Sequence, residues 1–164
     1  LKIIYQNILT RSNMKVVILL GSESDKEFVE GMPKEFKAWG VKNVEMIVAS
    51  AHKVPEKVFK IVSDNNKSKD DIVYITVAGR SNGLSGVTAA NSIHPVIACP
   101  PFKDKSDFIV NINSTLVMPS DTPVMTVIDR QNVIMAVLRI FALKDAKLKK
   151  AMIDRIAKIK KSFK

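Results

Sequence analysis

The sequence predicts an α/β protein: a three-layer αβα sandwich, with helices covering both faces of a doubly wound parallel sheet of about five strands and a long helix at the C-terminus. Three observations carry that expectation. Short β-rich runs alternate with segments of helical character. One of these runs, Ile72 to Ala78, is apolar or β-branched throughout, as strands buried on both faces of a parallel sheet are. Clusters of Gly, Ser, Asp and basic residues fall at the ends of the runs, where open α/β sheets place their ligands.

In chain order, Lys15 to Leu20 reads as the first strand and closes on Gly21, and Asp25 to Trp39 has helical character with Gly40 as its stop. Val44 to Ala49 is the second strand. A helix follows from Pro55, a residue suited to a first helical turn because its missing N–H has no partner there to lose. Ser63 to Asp71 reads as a polar turn, Ile72 to Ala78 as the third strand, and Leu84 to Asn91 as a short helix. His94 to Ala98 is a fourth strand ended by Pro100 and Pro101. Phe108 to Thr115 reads as a helix, although Asn111, Asn113 and Ser114 weaken its propensity. Val124 to Ile128 is a fifth strand, and Asn132 to Leu143 begins a long final helix.

At 164 residues and 46% hydrophobic content, the chain suits one compact domain with a proper core, expected over 14–164. The first strong strand pattern begins at Met14, so Leu1 to Asn13 is expected to be an extension and Met14 the natural start. A single cysteine, Cys99, excludes an internal disulfide, and two histidines, His52 and His94, give no zinc spacing, so no metal is expected. The apolar runs are too short to cross a bilayer, and the N-terminal stretch lacks the apolar core of a secretory signal, which reads as cytoplasmic.

The net charge is +10, and most of the excess lies between Lys144 and Lys164, where nine basic residues face two acidic ones. Leu148, Met152, Ile156, Ile159 and Phe163 mark one face of a helix in the same segment. A solvated helix face packed on its own domain or on a neighbouring subunit is the reading taken. A nucleic-acid patch would want interleaved aromatics, and a membrane-surface helix is the third alternative.

Three strand-end segments carry the candidate chemistry. Gly21-Ser22-Glu23-Ser24-Asp25 offers backbone N–H groups, hydroxyls and a carboxylate before a helix, which suits a phosphate and a sugar hydroxyl and equally suits an ordinary helix cap. It matches neither a Walker loop nor the dinucleotide glycine pattern. In Ser50-Ala51-His52-Lys53-Val54-Pro55, His52 is either a surface residue or a group that takes and returns a proton, and Lys53 is either a phosphate-binding charge or a solvated lysine. In Val77-Ala78-Gly79-Arg80-Ser81-Asn82-Gly83, a guanidinium, a hydroxyl and an amide stand among glycines that permit close approach of backbone to a ligand. His94, directly before Pro95, reads as a packing or interface residue, and Cys99 as a buried thiol.

Gly-Ser-Glu-Ser-Asp, Ser-Ala-His-Lys-Val-Pro, Ala-Gly-Arg-Ser-Asn-Gly-Leu, Pro-Val-Ile-Ala-Cys-Pro-Pro and Met118-Pro119-Ser120, in this order, resemble the phosphoribosylaminoimidazole carboxylase family of purine biosynthesis, from about Met14 to about Leu143. The microbial mutases of that family usually carry Ser-Ala-His-Arg-Thr-Pro and a Gly-Gly-Ala-Ala-His-Leu-Pro-Gly loop. Here Lys53 stands for the arginine, and Arg80-Ser81-Asn82-Gly83 replaces the loop that holds a second histidine. Those features are similar to class II members, which use carbon dioxide directly. Val54 departs from the animal enzymes' glycine, and Ser85 to Ala90 departs from their Gly-Pro-Val-Met-Ser-Gly.

The resemblance implies a flavodoxin-like fold, a homo-oligomer (octamer or tetramer), and reversible carboxylation of aminoimidazole ribonucleotide by carbon dioxide without ATP, biotin or metal. It implies His52 and Lys53 as catalytic residues, with His52 handling the ring proton and Lys53 joining Ser22 and Ser24 at the phosphate. Asp25 would hold the ribose, Ser50 and Ala51 would lie by the ring, and Gly79, Arg80, Ser81, Asn82 and Gly83 would form the carbon dioxide pocket. The alternatives are the mutase that moves a carboxyl group from the exocyclic amine to the ring carbon, a non-catalytic binder of a phosphorylated metabolite, and a nucleic-acid role for the basic tail.

Overall fold

A computed structural model describes residues 13–163; the expected extension 1–13 lies almost wholly outside them. Strands β1 (Met14–Leu20), β2 (Asn43–Val48), β3 (Asp71–Val77), β4 (Val96–Ala98) and β5 (Met125–Thr126) form one parallel sheet in the order β2-β1-β3-β4-β5. The helices are α1 (Lys26–Val29), α2 (Met32–Ala38), α3 (Pro55–Asn65), α4 (Gly83–Asn91), α5 (Lys105–Leu116), α6 (Arg130–Phe141) and α7 (Ala146–Lys161). The alternation of strands and helices predicts this doubly wound parallel sheet, and its strand order is the flavodoxin-like one that the resemblance implies.

The chain leaves β1 towards one edge of the sheet and β3 towards the other, which opens a crevice at their carboxyl ends. Register fixes its floor. Leu20 pairs with both Val48 and Val77, so the loops after β2, β1 and β3 leave the sheet side by side.

Residues Val16 to Leu20 are wholly buried, with alternate side chains entering opposite layers. Val16, Ile18 and Leu20 pack with Phe36 of α2, with Val133, Val137 and Leu138 of α6, and with Leu148 and Met152 of α7. Val17 and Leu19 pack with Val58 and Val62 of α3 and with Leu84 and Ala89 of α4. Each such aliphatic side chain contributes about 1.5–3 kcal/mol by leaving water, so β1 is the anchor from which the crevice is hung.

Several element boundaries differ from the expectation. The helix expected over 25–39 is a 3-10 turn (Glu23–Asp25) followed by α1 and α2, with a break at Glu30 and Gly31 that precedes Pro33 in the first turn of α2. The turn expected over 63–71 is shorter, because α3 runs on to Asn65, whose buried amide donates to the Tyr74 hydroxyl at 2.9 Å. The fourth strand starts at Val96, since Pro95 has no N–H to give and joins the ladder only through its carbonyl, 2.9 Å from Tyr74 N. The final helix is two helices, with Asp145 capping the second by accepting from Leu148 N at 2.8 Å. Gly40 does stop α2, at φ +89°.

The C-terminal stripe docks only at its start. Leu148 and Met152 are buried and the Arg155 guanidinium lies 5.7 Å from the centre of the Trp39 ring, whereas Ile156, Ile159 and Phe163 stay exposed. Among the described residues no helix is long and apolar enough to cross a membrane.

Candidate active site

The three polar loops predicted to carry chemistry meet at the crevice. Gly21 N–H donates to Val77 O at 2.9 Å, and Ala49 N–H to Leu20 O at 2.8 Å, so the ladder continues one residue beyond each strand. A Cβ built on Gly21 would stand 3.1 Å from the Ala78 Cβ, which is how closely the first loop lies against the third. On the other side a Cβ on Gly83 would stand 3.0 Å from His52 Nε2 and 3.1 Å from Cε1. The imidazole therefore rests against the backbone of the Arg80 loop.

In the first loop Ser22 Oγ accepts from Ser24 N at 3.4 Å and from Ser24 Oγ at 3.0 Å, capping the 3-10 turn. The cap reading is thus correct for Ser22, yet its hydroxyl proton remains available to a ligand. Asp25 does not cap α1, and burial holds its half-buried carboxyl above the usual range, only partly opposed by a backbone hydrogen bond at Ser22. The expected helix N-terminus is weak, because α1 has only four residues and little dipole to offer.

In the second loop Ser50 closes the turn, its Oγ accepting from Lys53 N at 3.3 Å and its carbonyl from Val54 N at 3.0 Å. Ala51 is half-buried, and His52 and Lys53 project as exposed side chains. Neither makes a side-chain hydrogen bond among the described residues. Val54 then leads into α3 with Pro55 in its first turn.

The third loop is the opposite case. Arg80 sits at φ +55°, in the left-handed region, which costs a non-glycine residue about 1–2 kcal/mol. Ser81 is exposed, and its carbonyl takes the Gly83 N–H at 2.9 Å, so that amide is not free to meet charge developing on a ligand. Asn82, 4% exposed, caps α4: its Oδ1 accepts from Ser85 N at 3.2 Å and from Ser85 Oγ at 2.9 Å. Since Ser85 spends its one proton there, Thr76 Oγ1, 2.7 Å away, is the donor to Ser85. Asn82 Nδ2 donates to Thr115 Oγ1 at 3.0 Å, which in turn donates to Asn111 O at 2.9 Å. A buried polar chain thus runs from β3 through α4 to α5.

Sequence reasoning missed the α5 side of this chain. Asn111, Ser114 and Thr115 bond the Arg80 loop directly, three and four residues apart on one helix face, and Asn111 and Ser114 are two of the three residues that weaken the helix propensity, the third, Asn113, being exposed. Their cost to the helix was the available signal.

Comparison with known proteins identifies the lineage. The family model described as AIR carboxylase matches residues 15–162. The chain belongs to the AIR carboxylase family. It is 43% identical to the phosphoribosylaminoimidazole carboxylase of Archaeoglobus fulgidus, over 86% of this chain and 76% of that one. To the N5-carboxyaminoimidazole ribonucleotide mutase of Methanocaldococcus jannaschii it is 41% identical, over 89% and 90%. The crystal structure of Treponema denticola PurE superposes with a TM-score of 0.79 at 34% identity, over 90% of this chain and 95% of that one. An AIR carboxylase family member is an enzyme of purine biosynthesis, and the crevice holds the candidate machinery.

Two other groups flagged in the sequence lie apart from that machinery. His94 is at the amino end of β4, the opposite end of the sheet from His52, with Nε2 3.1 Å from Asn65 O and its ring centre 6.4 Å from that of Tyr74. It is a packing residue. The buried Cys99 thiol is pushed up to about 12, chiefly by burial and further by Asp129, with Arg130 pulling the other way, so it stays protonated and inert.

Proposed function

We propose that this AIR carboxylase family member carboxylates aminoimidazole ribonucleotide with carbon dioxide, reversibly and without ATP, cofactor or metal. The observation that supports this most is the packing of the His52 ring on Gly83, beside Arg80, in a loop with no histidine of its own. The electron-rich ring carbon attacks carbon dioxide directly. A carbon–carbon bond forms, one C=O electron pair moves onto oxygen, and the new carboxylate meets the Arg80 guanidinium. His52, with no side-chain hydrogen bond to break among the described residues, then takes the proton from the same ring carbon and restores aromaticity. In the reverse direction it returns that proton.

Ser22, Ser24 and Lys53 hold the phosphate, Asp25 the ribose hydroxyls, and Ser50 and Ala51 the ring. Gly79 to Gly83 form the carbon dioxide pocket. Much of this crevice is solvent-exposed in a single chain. A homo-oligomer, octamer or tetramer, that covers it is part of the proposal, as is a cytoplasmic location.

The relative named as a mutase favours a second reading, transfer of a carboxyl group from the exocyclic amine. Supplying the two substrates in separate assays decides between them: consumption of aminoimidazole ribonucleotide with bicarbonate-derived carbon dioxide is expected, and turnover of the N-carboxylated isomer alone would overturn the carboxylase assignment. His52→Asn is expected to keep ribonucleotide binding and lose about 10²–10⁴-fold in turnover.

A further inference from the structure

Carbon dioxide gives a protein few handles, so capture depends on where the Arg80 loop holds its groups. That loop is fastened at both ends of the arginine's own backbone. Arg80 N–H donates to Asn111 Oδ1 at 2.5 Å, and Arg80 O accepts from Ser114 Oγ. Ser114 Oγ also accepts from Asn82 N at 3.1 Å. The Asn111 amide is spent on its other side too, Nδ2 donating to Pro101 O at 2.6 Å in the segment after β4.

Asn111 is 3% exposed, and it occupies the space that a side chain at Gly79 would need: a Cβ there would stand 3.0 Å from Nδ2 and 3.3 Å from Oδ1. Gly79 is glycine so that this amide can reach Arg80 N–H. Arg80 holds an unfavourable left-handed backbone with no glycine to ease it, so the bonds from α5 are what keep it there.

We propose that Asn111, backed by Ser114, is a positioning residue that sets the direction of Arg80 for carbon dioxide and the ring carboxylate, without touching the ribonucleotide. The inference rests on the assignment of Arg80 to the carboxyl pocket. Asn111→Ala removes the acceptor for Arg80 and the link to Pro101. Asn111→Asp keeps the acceptor and loses the donor. The exposed Asn113→Ala on the same helix is the control.

Steady-state kinetics with each substrate varied, together with hydrogen exchange of the Arg80–Gly83 amides, test it. For Asn111→Ala the KM for carbon dioxide is expected to rise roughly tenfold to a hundredfold, while the KM for the ribonucleotide moves less than about twofold. Exchange at Arg80–Gly83 accelerates with no change at Ser22–Asp25, Asn111→Asp falls between, and Asn113→Ala matches the wild type. An unchanged KM for carbon dioxide overturns the proposal. So do both KM values rising together with a fall in Tm, which is what general loosening gives. Wild-type protein that turns over neither substrate would overturn the reaction assignment instead, and faster exchange in Asn111→Ala would then leave a loop lock without that purpose.

Discussion

The Ser22 loop and the Arg80 loop leave neighbouring strands at the same level of the sheet, yet they are built in opposite ways. The first bonds almost only to itself, through Ser22 and Ser24, and keeps exposed hydroxyls and an uncapping carboxylate. The second is sewn to β3, α4 and α5 through Thr76, Ser85, Thr115, Asn111 and Ser114. The difference follows from what each is proposed to hold. A ribose phosphate brings many acceptors and its own charge, so it can organise a loop that has donors to spare. A molecule as small as carbon dioxide cannot supply the free energy to order its site, so the ordering has to be done in advance by the fold.

If preorganisation is what separates the two loops, small displacements in the second should be expensive. Gly83→Ala is the sharpest probe, because the added Cβ would stand 3.0 Å from His52 Nε2 and force the imidazole back by a few tenths of an ångström. Alanine is the better helix former in the first turn of α4, and no positive φ penalises it there. Turnover is expected to fall roughly tenfold or more, with Tm held within about 2 °C. Full activity in that variant would mean that the His52 contact with the Arg80 loop is incidental.

How much of this was readable in the sequence divides along the same line. Residues proposed to meet a ligand announce themselves locally: Ser22, Asp25, His52 and Arg80 all follow apolar strand runs, and strand order brings them together. Residues that hold the loop do not. Asn111 is 31 positions from Arg80, and only the docking of α5 against the β3–α4 loop gives its amide a purpose. Short elements were misjudged for a similar reason. The expected strand Val124 to Ile128 keeps only Met125 and Thr126, because β4 offers just three residues to pair with. By contrast, the two histidines are told apart by their sequence neighbours, His52 among polar groups after a strand and His94 directly before Pro95, and their opposite ends of the sheet agree with that separation.

Arg80→Gly separates the strain in the second loop from its charge. Glycine adopts φ +55° freely, so the variant is expected to gain up to about 1 kcal/mol, read as a rise of about 2–4 °C in Tm. Carbon dioxide capture is nonetheless expected to weaken, as a higher KM for carbon dioxide, since no guanidinium is left to meet the carboxylate. A variant that is less stable than the wild type would show that the Asn111 and Ser114 bonds also need the arginine side chain.

The smallest effect is expected in the first loop, at Asp25. Burial raises its carboxyl above the usual range, so the folded protein holds that proton more tightly than the unfolded chain does. The charged form therefore costs stability at neutral pH, and the cost disappears as pH falls through the raised value. Asp25→Asn removes it. Because the group is only half-buried, solvent limits the gain to about 2 °C in Tm near pH 7. The advantage should vanish in mild acid, where wild type carries the proton itself. Ribonucleotide affinity moves the other way: it should drop in the variant at neutral pH, and in the wild type it should begin to weaken at a higher pH than for an ordinary aspartate, because a charged carboxylate accepts both ribose hydroxyl protons and an amide oxygen serves them less well. Binding titrations across that range measure the crossing directly, and an Asp25→Asn variant that binds as tightly as wild type would move the ribose elsewhere in the crevice.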